Sequence, residues 1–191
     1  MGMEVPLKTN RILTMAEWPP QLVSKTMSDE LLIENARAYA RRHQLELAER
    51  LGFGVHGIVF LAENKANFGK SVLKIHRMDE PFQRELSIYE MLSDEGIIEV
   101  LGFNIPALLG ADPELRIIEM SLVARPFVLD FAGAYLDKAP EFSEEIWADW
   151  RAEKREQFGN RWPAVEAVLS ALKRHGIQMV DVTPSNIAFA D

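Results

Sequence analysis

Three glycines stand close together between two predicted strands. Gly52, Gly54 and Gly57 have the spacing G-x-G-x-x-G, and the segment 58–61 that follows them is Ile-Val-Phe-Leu, a strand-like composition. Glycines let backbone N–H groups approach an anion such as a phosphate closely. A dinucleotide-binding fold needs these glycines to open a helix, so the strand that follows them argues against that class. A glycine-rich hairpin without a ligand is the alternative interpretation.

Two charged residues stand further along the chain within apolar patterns. Lys74 lies in the apolar segment 71–75, and Glu85 lies in the segment 80–93, whose apolar residues recur at helical spacing. A lysine in a strand usually extends its ammonium to solvent, and a helical glutamate is usually solvated. If Lys74 is partly buried, it needs a partner of opposite charge. We therefore predict that Lys74 lies on the third strand of an antiparallel sheet and needs an acidic partner there, and that Glu85 lies on the helix packed across that sheet.

The carboxy-terminal segment carries a compact group of polar residues. Asp181 is followed after two residues by Pro184 and after one more by Asn186, and the apolar segment 187–190 comes next. The stretch from Gly176 to Asn186 and the following Ile resembles the catalytic loop of the protein-kinase-like superfamily. The glycines, the lysine and the glutamate precede it in the family's order, so the resemblance extends from about residue 47 to residue 190.

The resemblance implies roles in phosphoryl transfer, a reaction in which catalysis is mostly positioning and charge neutralisation. The three glycines would cover the phosphates of ATP, and Lys74, paired with Glu85, would neutralise the α- and β-phosphates. Asp181 would orient or deprotonate an acceptor hydroxyl. Asn186 would give its amide oxygen to Mg²⁺, a cation that prefers oxygen ligands.

The chain departs from the family pattern around Asp181. Met179 and Val180 stand where the family has His-Arg, so the histidine that braces the loop is absent. Thr183 stands where protein Ser/Thr kinases have a lysine that touches the transferred phosphate. Both departures favour an inactive relative of the kinases.

A second departure concerns the metal site. The family's other metal-binding aspartate follows a complete hairpin after the asparagine, whereas Asp191 comes only five positions after Asn186. Two ligands of one Mg²⁺ lie at most about 4 Å apart, and five residues of strand span roughly 16 Å. Asp191 is therefore a weak candidate ligand, with a frayed chain end as the alternative, and the sequence predicts an incomplete Mg²⁺ site.

Three functions of different class follow. The first is an ATP-binding phosphotransferase that acts on an unidentified acceptor, which the retained residues favour. The second is a pseudokinase-like module that binds a nucleotide or a protein without turnover, which the departures favour. The third is an interaction domain that uses Trp147 and Trp150 on a charged helix, although aromatic residues at that spacing are more often core. With Asn186 as the clear metal ligand, we expect weak Mg²⁺ dependence and slow or absent turnover.

The apolar periodicity predicts an α+β chain, and the resemblance implies a protein-kinase-like fold of two lobes. The expected divisions are an amino-terminal arm and helix (1–43), an amino-terminal lobe with a five-stranded antiparallel sheet and one covering helix (44–124), and a small, incomplete helical carboxy-terminal lobe (125–191). The predicted helices are 29–42, 80–93, 142–158 and 160–176, and the predicted strands of the sheet are 44–51, 58–63, 70–76, 106–109 and 115–123.

Composition limits the partners and the location. The 191 residues include 21 Lys and Arg against 29 Asp and Glu, a net charge of −8, which argues against nucleic acid and anionic membrane surfaces as partners. The chain has no cysteine, so disulfides, thiolate zinc sites and cysteine nucleophiles are excluded. Charged residues interrupt the first 18 positions, where a signal peptide would need an apolar segment. We expect a cytoplasmic protein.

Overall fold

A five-stranded antiparallel sheet is the largest element of the computed structural model, which describes residues 26–138 and 140–190. Its strand order is β1-β2-β3-β7-β6. The strands along the chain are β1 (Leu45–Phe53), β2 (Gly57–Asn64), β3 (Lys70–His76), β4 (Glu99–Val100), β5 (Phe103–Asn104), β6 (Leu108–Asp112), β7 (Ile117–Ser121), β8 (Phe127–Val128), β9 (Tyr135–Leu136), β10 (Ile177–Gln178) and β11 (Ile187–Ala188). The α+β class and the five-stranded antiparallel sheet are as predicted.

The helices follow the predicted segments within two residues at each end. They are α1 (Asp29–Arg42), α2 (Asp79–Asp94), α3 (Glu144–Phe158) and α4 (Trp162–Arg174), with a 3-10 turn at Gly159–Arg161. Ser28 caps α1 by accepting a hydrogen bond from the Leu31 amide, and Ser143 caps α3 in the same way. Among the described residues, no helix is both long enough and apolar enough to cross a membrane.

Both faces of the sheet are covered, which corrects the prediction of one covering helix. Helix α1 packs on one face, where Leu32 and Tyr39 join a core with Leu73 and Ile75 of β3. Helix α2 packs on the other face, on the side of Val72. Because successive side chains of a strand point to opposite faces, β3 is buried on both sides. The sequence assigned α1 to an amino-terminal arm, and residues 1–25 of that arm lie outside the described residues.

The turn between β6 and β7 is displaced from its prediction. The predicted strands 106–109 and 115–123 leave Gly110 in the turn between them, but Gly110 belongs to β6 and the turn occupies 113–116. A Cβ at Gly110 would lie 2.9 Å from the Tyr39 hydroxyl oxygen. Gly110 therefore makes room for the α1 tyrosine that crosses the sheet at this point.

The carboxy-terminal segments pack on the α2 side of the sheet. Their apolar residues, including Val165, Leu172 and Ile187, share one hydrophobic core with residues of α2 such as Phe82 and Tyr89. Two strand pairs connect segments that are distant in sequence: β11 pairs antiparallel with β8, and β10 pairs antiparallel with β9. The loop after β8 and the loop before β11 consequently lie side by side.

Candidate functional site

The glycine-containing turn between β1 and β2 is held from behind by Arg77. The Gly54 amide donates to the Gly57 carbonyl at 2.9 Å, which closes the turn. The Arg77 amide donates to the His56 carbonyl at 3.0 Å, and its side chain donates to the Gly54 carbonyl at 3.2 Å. The Arg77 guanidinium also lies over the Phe53 ring, 5.1 Å from its centroid. These contacts attach the turn to the residue that follows β3.

The three glycines serve different structural needs. Gly57 has a φ of +155°, and a Cβ there would lie 1.9 Å from the Ile75 carbonyl oxygen, so only glycine lets β2 approach β3 at this point. The Gly54 amide is used within the turn. Gly52 lines the cleft. The covering of phosphates by all three glycines stays a prediction.

Lys74 and Glu85 meet as the sequence predicts. Lys74 lies on β3, opposite Val59 of β2 and Ile118 of β7. Its Nζ lies 2.6 Å from Oε2 of Glu85, which α2 carries across the sheet. The Lys74 side chain is 7% exposed and that of Glu85 is 0% exposed. Both charges are therefore inside the protein and depend on each other.

Glu85 receives two further contacts that the sequence analysis missed. His76 lies two residues after Lys74 on the same face of β3, and its Nε2 lies 2.6 Å from Oε2 of Glu85. The Phe131 amide donates to Oε1 of Glu85 at 3.2 Å. Burial alone would raise the pKa of the Glu85 carboxyl, but the Lys74 ammonium and the hydrogen bond with His76 lower it to about 2. The sequence signal for this contact was the spacing of Lys74 and His76, because residues two apart on a strand face the same side of the sheet.

Asp130 is the principal site residue that sequence reasoning missed. Lys74 Nζ donates to its Oδ1 at 2.7 Å, and the Ala132 amide lies 3.3 Å from the same oxygen. Its backbone has a φ of +63°, in the left-handed region that aspartate tolerates better than most residues. Burial disfavours the Lys74 ammonium, but the carboxylates of Glu85 and Asp130 outweigh that effect and raise the pKa of Lys74.

Strand pairing brings Asp130 beside Asn186. Val128 of β8 pairs with Ile187 of β11, and the Leu129 amide donates to the Asn186 carbonyl at 2.8 Å. The Asn186 side-chain amide donates to the Asp181 carbonyl at 2.9 Å, and its Oδ1 accepts from the Ser185 hydroxyl at 3.5 Å, so this oxygen has one weak partner within the chain. Asp130 and Asn186 line the same cleft. An apolar segment that ends in aspartate, 127–130, was the signal in the sequence, but it stands far from Asn186 along the chain.

The backbone around Asp181 is fixed on three sides. The Asn186 amide holds its carbonyl, and the indole N–H of Trp150 donates to the Val180 carbonyl at 3.0 Å. A Cβ on Gly133 would lie 2.9 Å from the Asp181 Cβ, so the loop after β8 packs against this residue. Met179 is buried in the core. Apolar packing of Met179 therefore also supports the loop.

The two tryptophans of α3 are packed within the carboxy-terminal part. Trp150 lies 5.6 Å from Trp147 and 6.2 Å from Trp162, measured between ring centroids. Both α3 tryptophans are half-buried. The contacts of Trp150 thus support the Asp181 loop. Trp147 and Trp150 also line a pocket of about 360 Å³ between α3 and α4, and the interaction-domain hypothesis stays a prediction.

The cleft combines an apolar half with a charged half. Its volume is about 330 Å³, and its apolar lining includes Val59, Val72 and Met120. Its polar lining comprises Lys74, Glu85, Asp130, Ser121, Ser185 and Asn186. Within the described ranges, no group of three or more His, Asp or Glu side chains is arranged to hold a metal ion. A cation here would need Asp130, Asn186 and oxygens of a ligand, and Asp191 lies outside the described residues.

A scan against protein-family models, a search of curated proteins and a search of solved structures each find no match to this chain.

The close approach of β2 to β3 predicts contrasting effects for two glycines of the turn. Gly57→Ala should lower the free energy of unfolding by about 2 kcal/mol or more, because its Cβ would collide with the Ile75 carbonyl. Gly54→Ala is the matched control, since a Cβ there meets nothing within 4 Å, and its effect should stay below about 1 kcal/mol. Urea unfolding of the two variants measures the difference. Equal destabilisation would contradict the account of Gly57.

The lowered pKa of Glu85 predicts acid sensitivity. Its carboxyl binds a proton more readily in the unfolded chain, so its contribution to stability is complete above the ordinary pKa of 4.5 and is lost as the pH falls towards about 2. Between these values, the free energy of unfolding of the wild type should fall more steeply than that of Glu85→Gln, by up to about 1.4 kcal/mol per pH unit. Denaturant titrations across that range give both slopes, and equal slopes would contradict the prediction.

Proposed function

We propose that this chain is an ATP-dependent phosphotransferase with a protein-kinase-like arrangement of two lobes around its cleft. The observation that carries the proposal is the ion-paired group of buried Lys74 and Glu85 with the partly exposed Asp130, which lines an apolar cleft together with Asn186. The flat adenine ring of ATP fits the apolar half of the cleft, which Val59, Val72 and Met120 line. The anionic phosphates fit the half that ends at the Lys74 ammonium.

The charged half suits phosphates that are accompanied by a hard cation. The carboxylate of Asp130 and the amide oxygen of Asn186 are oxygen ligands of the kind that Mg²⁺ prefers. The Lys74 ammonium contacts both Glu85 and Asp130. A phosphate that enters the cleft would form an ion pair with the same ammonium and replace part of these contacts. Mg²⁺, when bound, would neutralise charge on the β- and γ-phosphate oxygens. In this proposal, Asp130 takes the place of the weak candidate Asp191 as the carboxylate ligand of the cation.

This assignment favours an enzyme over an inactive module. The incomplete metal site was one argument for a pseudokinase, beside the departures at Met179, Val180 and Thr183, and Asp130 answers that one argument because it reaches the cleft from a different segment. Asp181 is half-exposed, so an acceptor hydroxyl can approach it. The hydroxyl proton would pass to the Asp181 carboxylate as the oxygen forms a bond to the γ-phosphorus, and the bond to the bridging oxygen would break with its electrons left on ADP.

The metal assignment predicts different behaviour of two aspartates. Mg²⁺ should lower the Kd of the wild type for ATP by about tenfold. Asp130→Asn should lose this effect of Mg²⁺ because the variant lacks the anionic ligand, and Asp191→Asn should retain it. Calorimetric titration of the three proteins with ATP, with and without Mg²⁺, measures the six affinities, and thermal unfolding checks that both variants are folded. Loss of the effect in Asp191→Asn alone would overturn the assignment.

The proposed base predicts a loss of turnover without a loss of binding. Asp181→Asn should lower kcat for ADP formation by about 10²- to 10⁴-fold, since proton transfer to a positioned group contributes that much. The Kd for ATP should change little. Asp112→Asn is the control with the same chemical change, because Asp112 pairs with Arg42 at 2.9 Å on the sheet away from the cleft. Wild-type protein that binds ATP and forms no ADP would instead support the pseudokinase-like alternative.

A further inference from the structure

The tip of the glycine turn reaches the loop that carries Asp181. His56 projects from the turn, and its Nε2 lies 3.9 Å from Oδ2 of Asp181. The side chains are 31% and 46% exposed, so the pair lies at the surface and not in the core. His56 belongs to the turn between β1 and β2 and Asp181 to the loop before β11, which makes this contact a bridge between the sheet and the carboxy-terminal loops.

The carboxylate of Asp181 has little other support. The contacts with Asn186 and Gly133 fix its backbone and Cβ, but they leave the carboxylate free to rotate. Among the described residues, His56 is the one side chain that lies within ion-pair distance of its oxygens. A base acts efficiently only if its oxygen is held towards the reacting hydroxyl, and a displacement of about 1 Å can cost about 10²-fold in rate.

The surroundings of His56 determine which ring nitrogen carries the proton. Its Nδ1 is buried and has no hydrogen-bond partner among the described residues. Nε2 faces the Asp181 carboxylate, so a proton on Nε2 has an acceptor within reach, whereas a proton on Nδ1 would be a buried donor without one. The charged group behind the turn is Arg77, whose guanidinium is engaged by the Gly54 carbonyl and by Asp29.

We propose that His56 is a positioning residue for Asp181, and that its Nε2–H holds the carboxylate in place when the glycine turn closes over bound nucleotide. The observed 3.9 Å is about 1 Å longer than a hydrogen bond, so a small inward movement of the turn completes the contact. His56 thereby supports the side-chain carboxylate, which the backbone contacts of the Asp181 loop do not hold. The inference rests on the proposed function, because it assigns His56 a part in that reaction.

The test compares two substitutions of His56 in ADP formation from MgATP. His56→Leu keeps the bulk of the ring and removes the donor, so kcat should fall by about ten- to a hundredfold while the KM for ATP stays within about twofold. His56→Gln retains an N–H donor and should recover most of the loss. Val55→Ala is the control, since Val55 is an exposed neighbour on the same turn.

A double variant shows whether His56 acts through Asp181. In an Asp181→Asn background, His56→Leu should cause no further loss, because the group that it positions is already absent. A full additional loss there, or an unchanged kcat in the single variant, would overturn the inference and leave the proposed function standing. Wild-type protein that binds ATP without turnover would overturn the inference, since no base would need positioning. Failure of the wild type to bind ATP in calorimetry would overturn the proposed function itself.

Discussion

The carboxylate of Glu85 is completely buried and is held by Lys74, by His76 and by the Phe131 amide. A buried charge is tolerated only when it is paired and hydrogen-bonded, so the buried carboxylate depends on all three contacts. The three partners come from β3 and from the loop after β8. Glu85 therefore fixes α2 against the sheet and fixes the carboxy-terminal segments against α2. The position of the cleft follows from this one side chain.

The pairing of β8 with β11 explains how a short chain assembles the candidate site. It places Asp130 beside Asn186 although 55 residues separate them, and it gives Lys74 a second carboxylate partner. The loop after β8 then contributes the Phe131 amide to Glu85 and the space at Gly133 to Asp181. A site of this kind is built by strand pairing and not by one continuous motif.

The limits of sequence reasoning follow the range of the interactions. Helices and the main strands were predictable because apolar periodicity and caps such as Ser28 are local signals. The meeting of Lys74 with Glu85 was predictable because a charge within an apolar strand needs a partner. Asp130 was not predictable, since its importance depends on a pairing between distant strands that no local pattern encodes. Gly110 was misleading for the same reason: it indicated a turn but accommodates a tyrosine of α1.

The central claim is that Asp130 and Asn186 jointly provide the protein ligands of a cation beside nucleotide phosphates. The most direct measurement is a crystal structure with Mn²⁺ and a non-hydrolysable ATP analogue, in which anomalous scattering locates the metal. We predict a metal peak about 2 Å from Asp130 and from Oδ1 of Asn186, with the phosphates within reach of Lys74. A peak bound by Asp191 in place of Asp130, or an analogue bound outside the cleft, would contradict the account.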